Sequence, residues 1–353
     1  MEQIHWSTSR RNCLRIHFDI THGAHANFFK NLVPMLSASG HDVRLTVLQR
    51  GRLQYIVREL YKVPVTVIGQ YSTGLLSMAV RTGLARLISL AKYFSHFPPD
   101  ILVGVACFQP ALLARFMSTV SIGLYDDPEH PMGFKLTKLI CNRFLAPDCV
   151  SQSAKGIITF KGLKEWAYLS PEYFKPDSSI LNRYDVRPGE YIFIRSIDPS
   201  SLNYRGQADP ILELYRRGLE TSKVLLSLER KDMHPLFTRW SILEEPVEDI
   251  HSLMYFSKAV ISSGDSMARE GSQLGVRSFY CGGREMMANR ELIEKGFMTH
   301  ETNIDQLSEI VSGIEPLSQE EQRERRCSLA SIWDDPNTLL FNLIESVSKV
   351  GSR

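Results

Sequence analysis

Short apolar runs alternate with helix-patterned segments along most of the chain, and this alternation is the strongest restriction on its fold. Residues 13–20, CLRIHFDI, read as a buried strand, 21–26 as a short loop, and 27–38 carry apolar residues at helical spacing. Ser39-Gly40-His41 ends that helix, and 43–48 is the next strand. Such an order, with loops this short, begins a parallel doubly wound sheet. Further strands are expected at 65–68, 101–106, 121–125 and 156–160. The segment 170–188 holds three prolines and little periodicity, and reads as an interdomain linker. A second series follows: strands at 191–194, 223–228, 259–262 and 277–280, with helices at 208–219, 247–256 and 266–274 between them. Two helices, near 304–312 and 337–347, close the chain. The fold class expected is therefore α/β, with two Rossmann-like domains. Residues 1–175 form the first, 176–336 the second, and the last helix, in 337–353, returns to the first.

A length of 353 residues is enough for two separate cores. The net charge of +2 gives no reason to expect a nucleic-acid partner. No run of eighteen apolar residues occurs, and residues 1–11 are polar, so a cytoplasmic protein is expected. The six cysteines lack a C-x-x-C pair, and no histidine cluster has zinc spacing. Cys13, Cys107 and Cys281 lie in strand-like stretches and are expected to be buried free thiols. No G-x-G-x-x-G follows Ile20, and neither a G-x-x-x-x-G-K-[ST] loop nor a G-x-S-x-G elbow is present. Dehydrogenase, P-loop and α/β-hydrolase readings are thereby disfavoured.

Open α/β sheets bind ligands at the carboxyl ends of their strands. Two such domains facing each other would set those ends across a cleft, so the loops after the strands carry the candidate chemistry. The sharpest is AVISSGDSMAREGSQLG, 259–275, an apolar strand that turns at once into a helix. Gly264 permits the tight turn, and Ser266 is placed to cap the helix. The N–H groups around Ser263, Gly264, Asp265 and Ser266 suit a diphosphate. Glu270, one turn further, is placed to accept hydrogen bonds from ribose hydroxyls. An ordinary capped strand-to-helix turn has the same spacing.

Four other groups stand on loops of the same kind. His25, in DITHGAHANFFK after the first strand, sits at a helix start that disfavours its protonated form. It is a candidate general base, or else a residue satisfied within the helix start. Asp127, Glu129 and His130, in YDDPEHP, suit a polyhydroxylated acceptor or supply the base instead; a solvated charged loop is the plain alternative. Arg195 and Arg230 end or follow strands of the second series, where guanidinium groups suit a diphosphate. Arg284 and Glu285, with Asn289 and Arg290, follow the strand at 277–280. No D-x-D occurs, so no divalent-metal donor site and no cofactor are expected. Residues 75–94, LLSMAVRTGLARLISLAKYF, show apolar residues at helical spacing with Arg81, Arg86 and Lys92 interspersed. That helix packs into the core or lies on an anionic membrane.

The segment S-S-G-D-S-x-x-x-E followed by L-G-V is similar to the donor-binding segment of GT-B glycosyltransferases. It is also similar to that of the non-hydrolysing UDP-N-acetylglucosamine 2-epimerases. Glu270 stands six residues after Gly264, as the ribose-binding glutamate does in the lipid II-forming transferase of peptidoglycan synthesis. G-A-H at 23–25 is similar to the G-G-H of that enzyme. RSIDPSSLNYRG departs from its glycine-rich loop, and RSIDPSSLN and YDDPEHPMG depart from the epimerase patterns. Across 22–43, 127–147, 191–204 and 246–300 the chain resembles family 354 of the domains of unknown function, predicted glycosyltransferases of about this length. The resemblance implies a GT-B fold and metal-independent, inverting transfer from a UDP-sugar to a hydroxyl of a glycan or lipid-linked acceptor, in polysaccharide or glycolipid synthesis. Location at the inner face of the membrane would follow if 75–94 makes peripheral contact. A UDP-N-acetylhexosamine 2-epimerase and a non-catalytic sugar-nucleotide-binding protein are the alternative expectations.

Overall fold

The computed structural model describes residues 13–72, 78–129, 131–150, 156–199, 209–219, 223–244 and 247–350. The chain divides into two compact units, one of Met1–Ala146, Ser153–Thr159 and Asp335–Arg353, the other of Pro147–Gln152 and Phe160–Asp334.

The first unit is built on β1 (Arg15–Ile20), β2 (Asp42–Gln49), β3 (Val65–Gln70), β4 (Ile101–Val105), β5 (Val120–Leu124), β6 (Arg143–Pro147) and β7 (Ile158–Phe160). They form one sheet in the order β3-β2-β1-β4-β5-β6-β7. The registers of β1 with β2 and β4, of β2 with β3, and of β4 with β5 and β5 with β6 are all parallel. β1 and β4 are almost wholly buried, as strands covered on both faces must be. The stretch expected as one helix over 27–38 is two helices, Gly23–Phe29 and Leu32–Ala38. Pro34 explains the break: lacking an N–H, it fits the first turn of the second helix and not the middle of a longer one. Strand β6, RFLAP, was too short and too polar at its ends to stand out as apolar sequence. The C-terminal helix, Pro336–Val350, packs on Leu32–Ala38, and Glu345 Oε1 lies 2.8 Å from Nε2 of the buried His41.

The second unit holds β8 (Tyr191–Ser196), β9 (Lys223–Leu228), β10 (Ser241–Ile242), β11 (Ala259–Ser262), β12 (Ser278–Tyr280) and β13 (Met298–His300). Their order is β10-β9-β8-β11-β12-β13, and every pairing is parallel. The segment read as a linker belongs to this unit, because Phe174 and Leu181 are buried against Leu253, Met254 and Leu274. A helix absent from the sequence reading, Gln319–Ile332, follows Ser318. Its residues are mostly polar, so no apolar rhythm announces it. The Ser318–Glu321 capping box, with reciprocal side-chain bonds, is the signal that does. Cys107 and Cys281 are buried free thiols as expected, whereas Cys13 is exposed, just before β1 begins.

Candidate functional site

In a doubly wound sheet the ligand crevice opens where the chain reverses the direction in which it adds strands. In the second unit that point lies between β8 and β11, which pair with Ser262 opposite Arg195. The two strand ends are tied together. Ser263 N–H donates to the Arg195 carbonyl at 3.1 Å, and Ile197 N–H donates to Ser263 Oγ at 3.1 Å. Ser262 braces the turn from within: Gly264 N–H donates to its Oγ at 3.0 Å, and that hydroxyl donates to the Gly264 carbonyl at 2.6 Å.

The helix Asp265–Gln273 begins directly after this turn, with Gly264 as its N-cap. Ser266 was expected to cap it; the structure places Ser266 inside the first turn, one residue beyond Asp265. Asp265 instead is the first helical residue, a carboxylate at the positive end of the helix. It is 4% exposed and held by Arg269 Nη1 at 3.0 Å, with Arg284 Nη1 at 3.9 Å. Arg284 comes from the loop after β12, so that loop reaches the start of the helix after β11. Gly282 in the same loop has no room for a side chain: a Cβ there would lie 2.3 Å from the Ser263 carbonyl oxygen.

Arg269 lies one turn into the helix and is almost wholly buried. Besides Asp265 it donates to Glu165 Oε1 at 2.9 Å and to Asn289 Oδ1 at 2.9 Å. Glu270, on the adjacent position, accepts from Tyr168 Oη at 2.6 Å and lies 3.4 Å from His251 Nε2. Burial pushes its pKa up, but His251, Tyr168 and Arg269 outweigh that and hold it below the ordinary value. Tyr168, Glu165 and His251 are not legible in the sequence because they lie 19 to 104 residues from the side chains they meet, and no local pattern links them. Asn289 stands in the sequence only as one of the polar residues that follow the strand at 277–280.

Arg195 points along the sheet, donating to Ser227 Oγ and Glu229 Oε1, each at 2.5 Å. Asp209 accepts from Ser196 Oγ and from Ile211 N–H; burial raises its pKa. Glu229 and Asp209 are further residues of this strand-end cluster that the sequence reading did not single out. Arg230 is 40% exposed and pairs with Asp232 two residues on. Glu285 and Arg290 are exposed.

The first unit has its own switch point, between β1 and β4. His22 caps the helix after β1, its Nδ1 accepting from Ala24 N–H at 3.2 Å. His25, the third residue of that helix, is half-buried, with Nδ1 3.3 Å from Thr21 Oγ1. Ala106, directly after β4, holds a positive φ of 51°, a costly conformation for a residue with a Cβ. Asp127 is half-buried and Glu129 exposed on the loop after β5; His130 lies outside the described residues. Beneath these loops Asp19 and Arg86 form a buried ion pair of 2.6 Å. Thr46 Oγ1 also donates to Asp19 at 2.6 Å, and Arg86 donates further to the Ile68 carbonyl and Gln109. Arg86 is thus turned inward, away from any basic outer face of the helix that carries it.

Two doubly wound parallel units, the second with a Ser-Gly turn at its switch point, make up the GT-B architecture. The chain belongs to the family described as Protein of unknown function (DUF354), whose model matches residues 14–349. A relative, "Uncharacterized protein MJ0665" of Methanocaldococcus jannaschii, is 22% identical over 344 residues, 94% of this chain and 98% of that protein. Among solved structures, Spinosyn Forosaminyltransferase SpnP is similar with a TM-score of 0.67 at 14% identity, over 95% of this chain and 100% of that one. The UDP-GlcNAc 2-epimerase from Neisseria meningitidis bound to UDP-GlcNAc is similar with a TM-score of 0.58 at 15% identity, over 90% and 99%. At these identities the likeness concerns the fold.

Proposed function

We propose that the protein is a glycosyltransferase that takes its sugar from a nucleotide diphosphate sugar, with the donor held by the second unit. The observation that carries this reading is the turn Ser263-Gly264, pinned to the end of β8 and opening directly into the helix Asp265–Gln273. A helix start at a switch point offers backbone N–H groups to a diphosphate. Asp265 would oppose an anion there, but Arg269 and Arg284 both face its carboxylate. The same helix start and Arg284 would stabilise the departing diphosphate without a metal ion. Glu270 accepts the ribose hydroxyls through whatever lone pairs Tyr168 and His251 leave open. The similar solved structures include a glycosyltransferase and an epimerase bound to UDP-GlcNAc, which supports a sugar nucleotide, and a UDP-sugar in particular, as the ligand.

In the first unit, His25 or the Asp127–Glu129–His130 loop takes the proton of the acceptor hydroxyl as it attacks the anomeric carbon. A single displacement of this kind inverts that carbon. The acceptor is a glycan or lipid-linked hydroxyl.

The test has two stages. A thermal-shift screen against UDP, GDP, dTDP and CMP sugars finds the donor, since a ligand of the native state raises its stability with concentration over Kd. Release of nucleotide diphosphate is then followed with candidate acceptors in the presence of chelator. Transfer to an acceptor establishes the reading. Inversion of the sugar at C2 with no sugar passed to any acceptor overturns it in favour of an epimerase.

A further inference from the structure

Three neighbouring helices of the first unit expose apolar side chains where a folded protein normally covers them. Arg86–His96, continuous with the π-helix Met78–Ala85, packs against Phe108–Ala114, which packs against Pro131–Ile140. Arg115, at the end of the middle helix, donates to the carbonyls of Leu139 and Ile140 and so ties the second and third together. Outward from this layer stand Leu84, Ile88, Leu112, Phe116, Met132 and Leu139, with Phe116 83% and Met132 75% exposed. Single exposed apolar residues are ordinary, but several on adjoining helices mark a contact surface.

The charges on the three helices themselves are all positive. Between Glu59 and Asp126 the only acidic residue is Asp100, and its carboxylate is bound by Arg15 at 2.6 Å. Between Glu129 and Asp148 there is none, so the acids nearest the third helix are Asp126, Asp127 and Glu129, before its first turn. Lys92, Lys135 and Lys138 stand on the first and third helices, and Arg115 at the end of the second. A second copy of the chain meeting this face through a two-fold axis would set the cations of these helices against like charges. Apolar side chains ringed by cations fit instead the headgroup and upper acyl region of an anionic bilayer.

We infer that this three-helix face docks the protein on an anionic phospholipid membrane, with Leu84, Ile88 and Phe116 entering the interface and Lys135 and Lys138 meeting the headgroups. The surface is wider than the helix at 75–94 first singled out, and Arg86 takes no part in it, being buried with Asp19. The inference stands apart from the sugar-nucleotide reading, because none of its residues belongs to the second unit.

The experiment is co-sedimentation of the full chain with phosphatidylcholine vesicles, with and without phosphatidylglycerol, at low and at moderate salt. Binding is expected only where phosphatidylglycerol is present. It should weaken with salt and fall about tenfold or more in Leu84→Ser/Ile88→Ser/Phe116→Ser and in Lys135→Glu/Lys138→Glu. Both variants should keep the unfolding midpoint and the nucleotide affinity of the parent, which separates loss of docking from loss of fold or of donor binding. No binding to phosphatidylglycerol vesicles at low salt overturns the inference. So does binding that the substitutions leave unchanged, or a dimer in solution that Phe116→Ser dissociates while vesicles bind nothing.

Discussion

The hydroxyl of Tyr168 donates to Glu270 Oε1 at 2.6 Å, across 102 residues of sequence and inside one unit. The carboxylate read from the sequence as a ribose ligand is therefore also a buried structural group, with His251 on its other oxygen. Its two roles separate by substitution. Glu270→Ala should weaken nucleotide-sugar binding by about 1.5–3 kcal/mol and also leave Tyr168 without its acceptor. Tyr168→Phe removes the internal bond alone, should cost about 0.5–1.5 kcal/mol of stability and should leave affinity nearly as it was. Calorimetric titration beside urea unfolding distinguishes them; equal affinities of Glu270→Ala and wild type would remove Glu270 from the donor site.

Arg269 lies 2.9 Å from Glu165 and 3.0 Å from Asp265, and all three are buried. Arg269→Met should cost about 3–5 kcal/mol, because it takes from the buried Glu165 the cation that it binds. Adding Glu165→Gln to that variant should restore part of the loss. Urea denaturation of the two variants measures it, and a single substitution costing under about 1 kcal/mol would show that water reaches the cluster.

Gly282→Ala tests the closeness of two loops. The new methyl would meet the Ser263 carbonyl oxygen at 2.3 Å, so either the loop after β12 or the turn after β11 must move. A loss of about 1–3 kcal/mol in stability is expected, as for other overpacked sites, with weaker donor binding. Unchanged thermal midpoint and unchanged affinity would contradict the geometry.

His17 lies on β1 between Thr46, 3.1 Å from its Nε2, and the rings of Tyr93 and Phe94. Burial lowers its pKa to about 4, against the pull of Asp19. The unfolded chain takes up a proton at this histidine near its ordinary value of about 6.5, whereas the native state does not. Stability conferred by the neutral ring is thus complete above pH ~6.5 and is lost as the pH falls toward 4, by about 3 kcal/mol in all. His17→Gln should flatten the wild-type stability curve through that window. Urea unfolding from pH 7 down to 4.5 checks it, and parallel slopes for the two proteins would refute it.

His25→Gln should keep donor binding and lower turnover by about 10²–10⁴-fold if the imidazole is the base. If the loop after β5 supplies the base, the same loss should appear in Asp127→Asn or Glu129→Gln and be absent from His25→Gln. Diphosphate release with a working acceptor reports all three.

The alternation of apolar runs and helix patterns determined the class of fold, because a parallel strand buried on both faces must be written as a continuous apolar stretch. ILVGV in β4 and AVIS in β11 carry that signal within a few residues each. The turn at Ser263-Gly264 was legible for the same reason: strand, turn and helix are consecutive. Weak short strands such as RFLAP, and the mostly polar helix 319–332, escaped because tertiary packing and a cap, rather than apolar periodicity, hold them. Only the tertiary structure decided the partners of the charges. Arg86 looked like part of a basic helix face, and the fold turns it onto Asp19, where a buried carboxylate needs a cation. Arg269 and Glu270 are neighbours in sequence, but the helix sends one to Glu165 and Asp265 and the other to Tyr168 and His251. Sequence spacing fixes which residues share a helix and allows the local pair Asp265–Arg269, whereas Asp19 meets Arg86 across 67 residues and Glu165 meets Arg269 across 104, and no local pattern records such meetings.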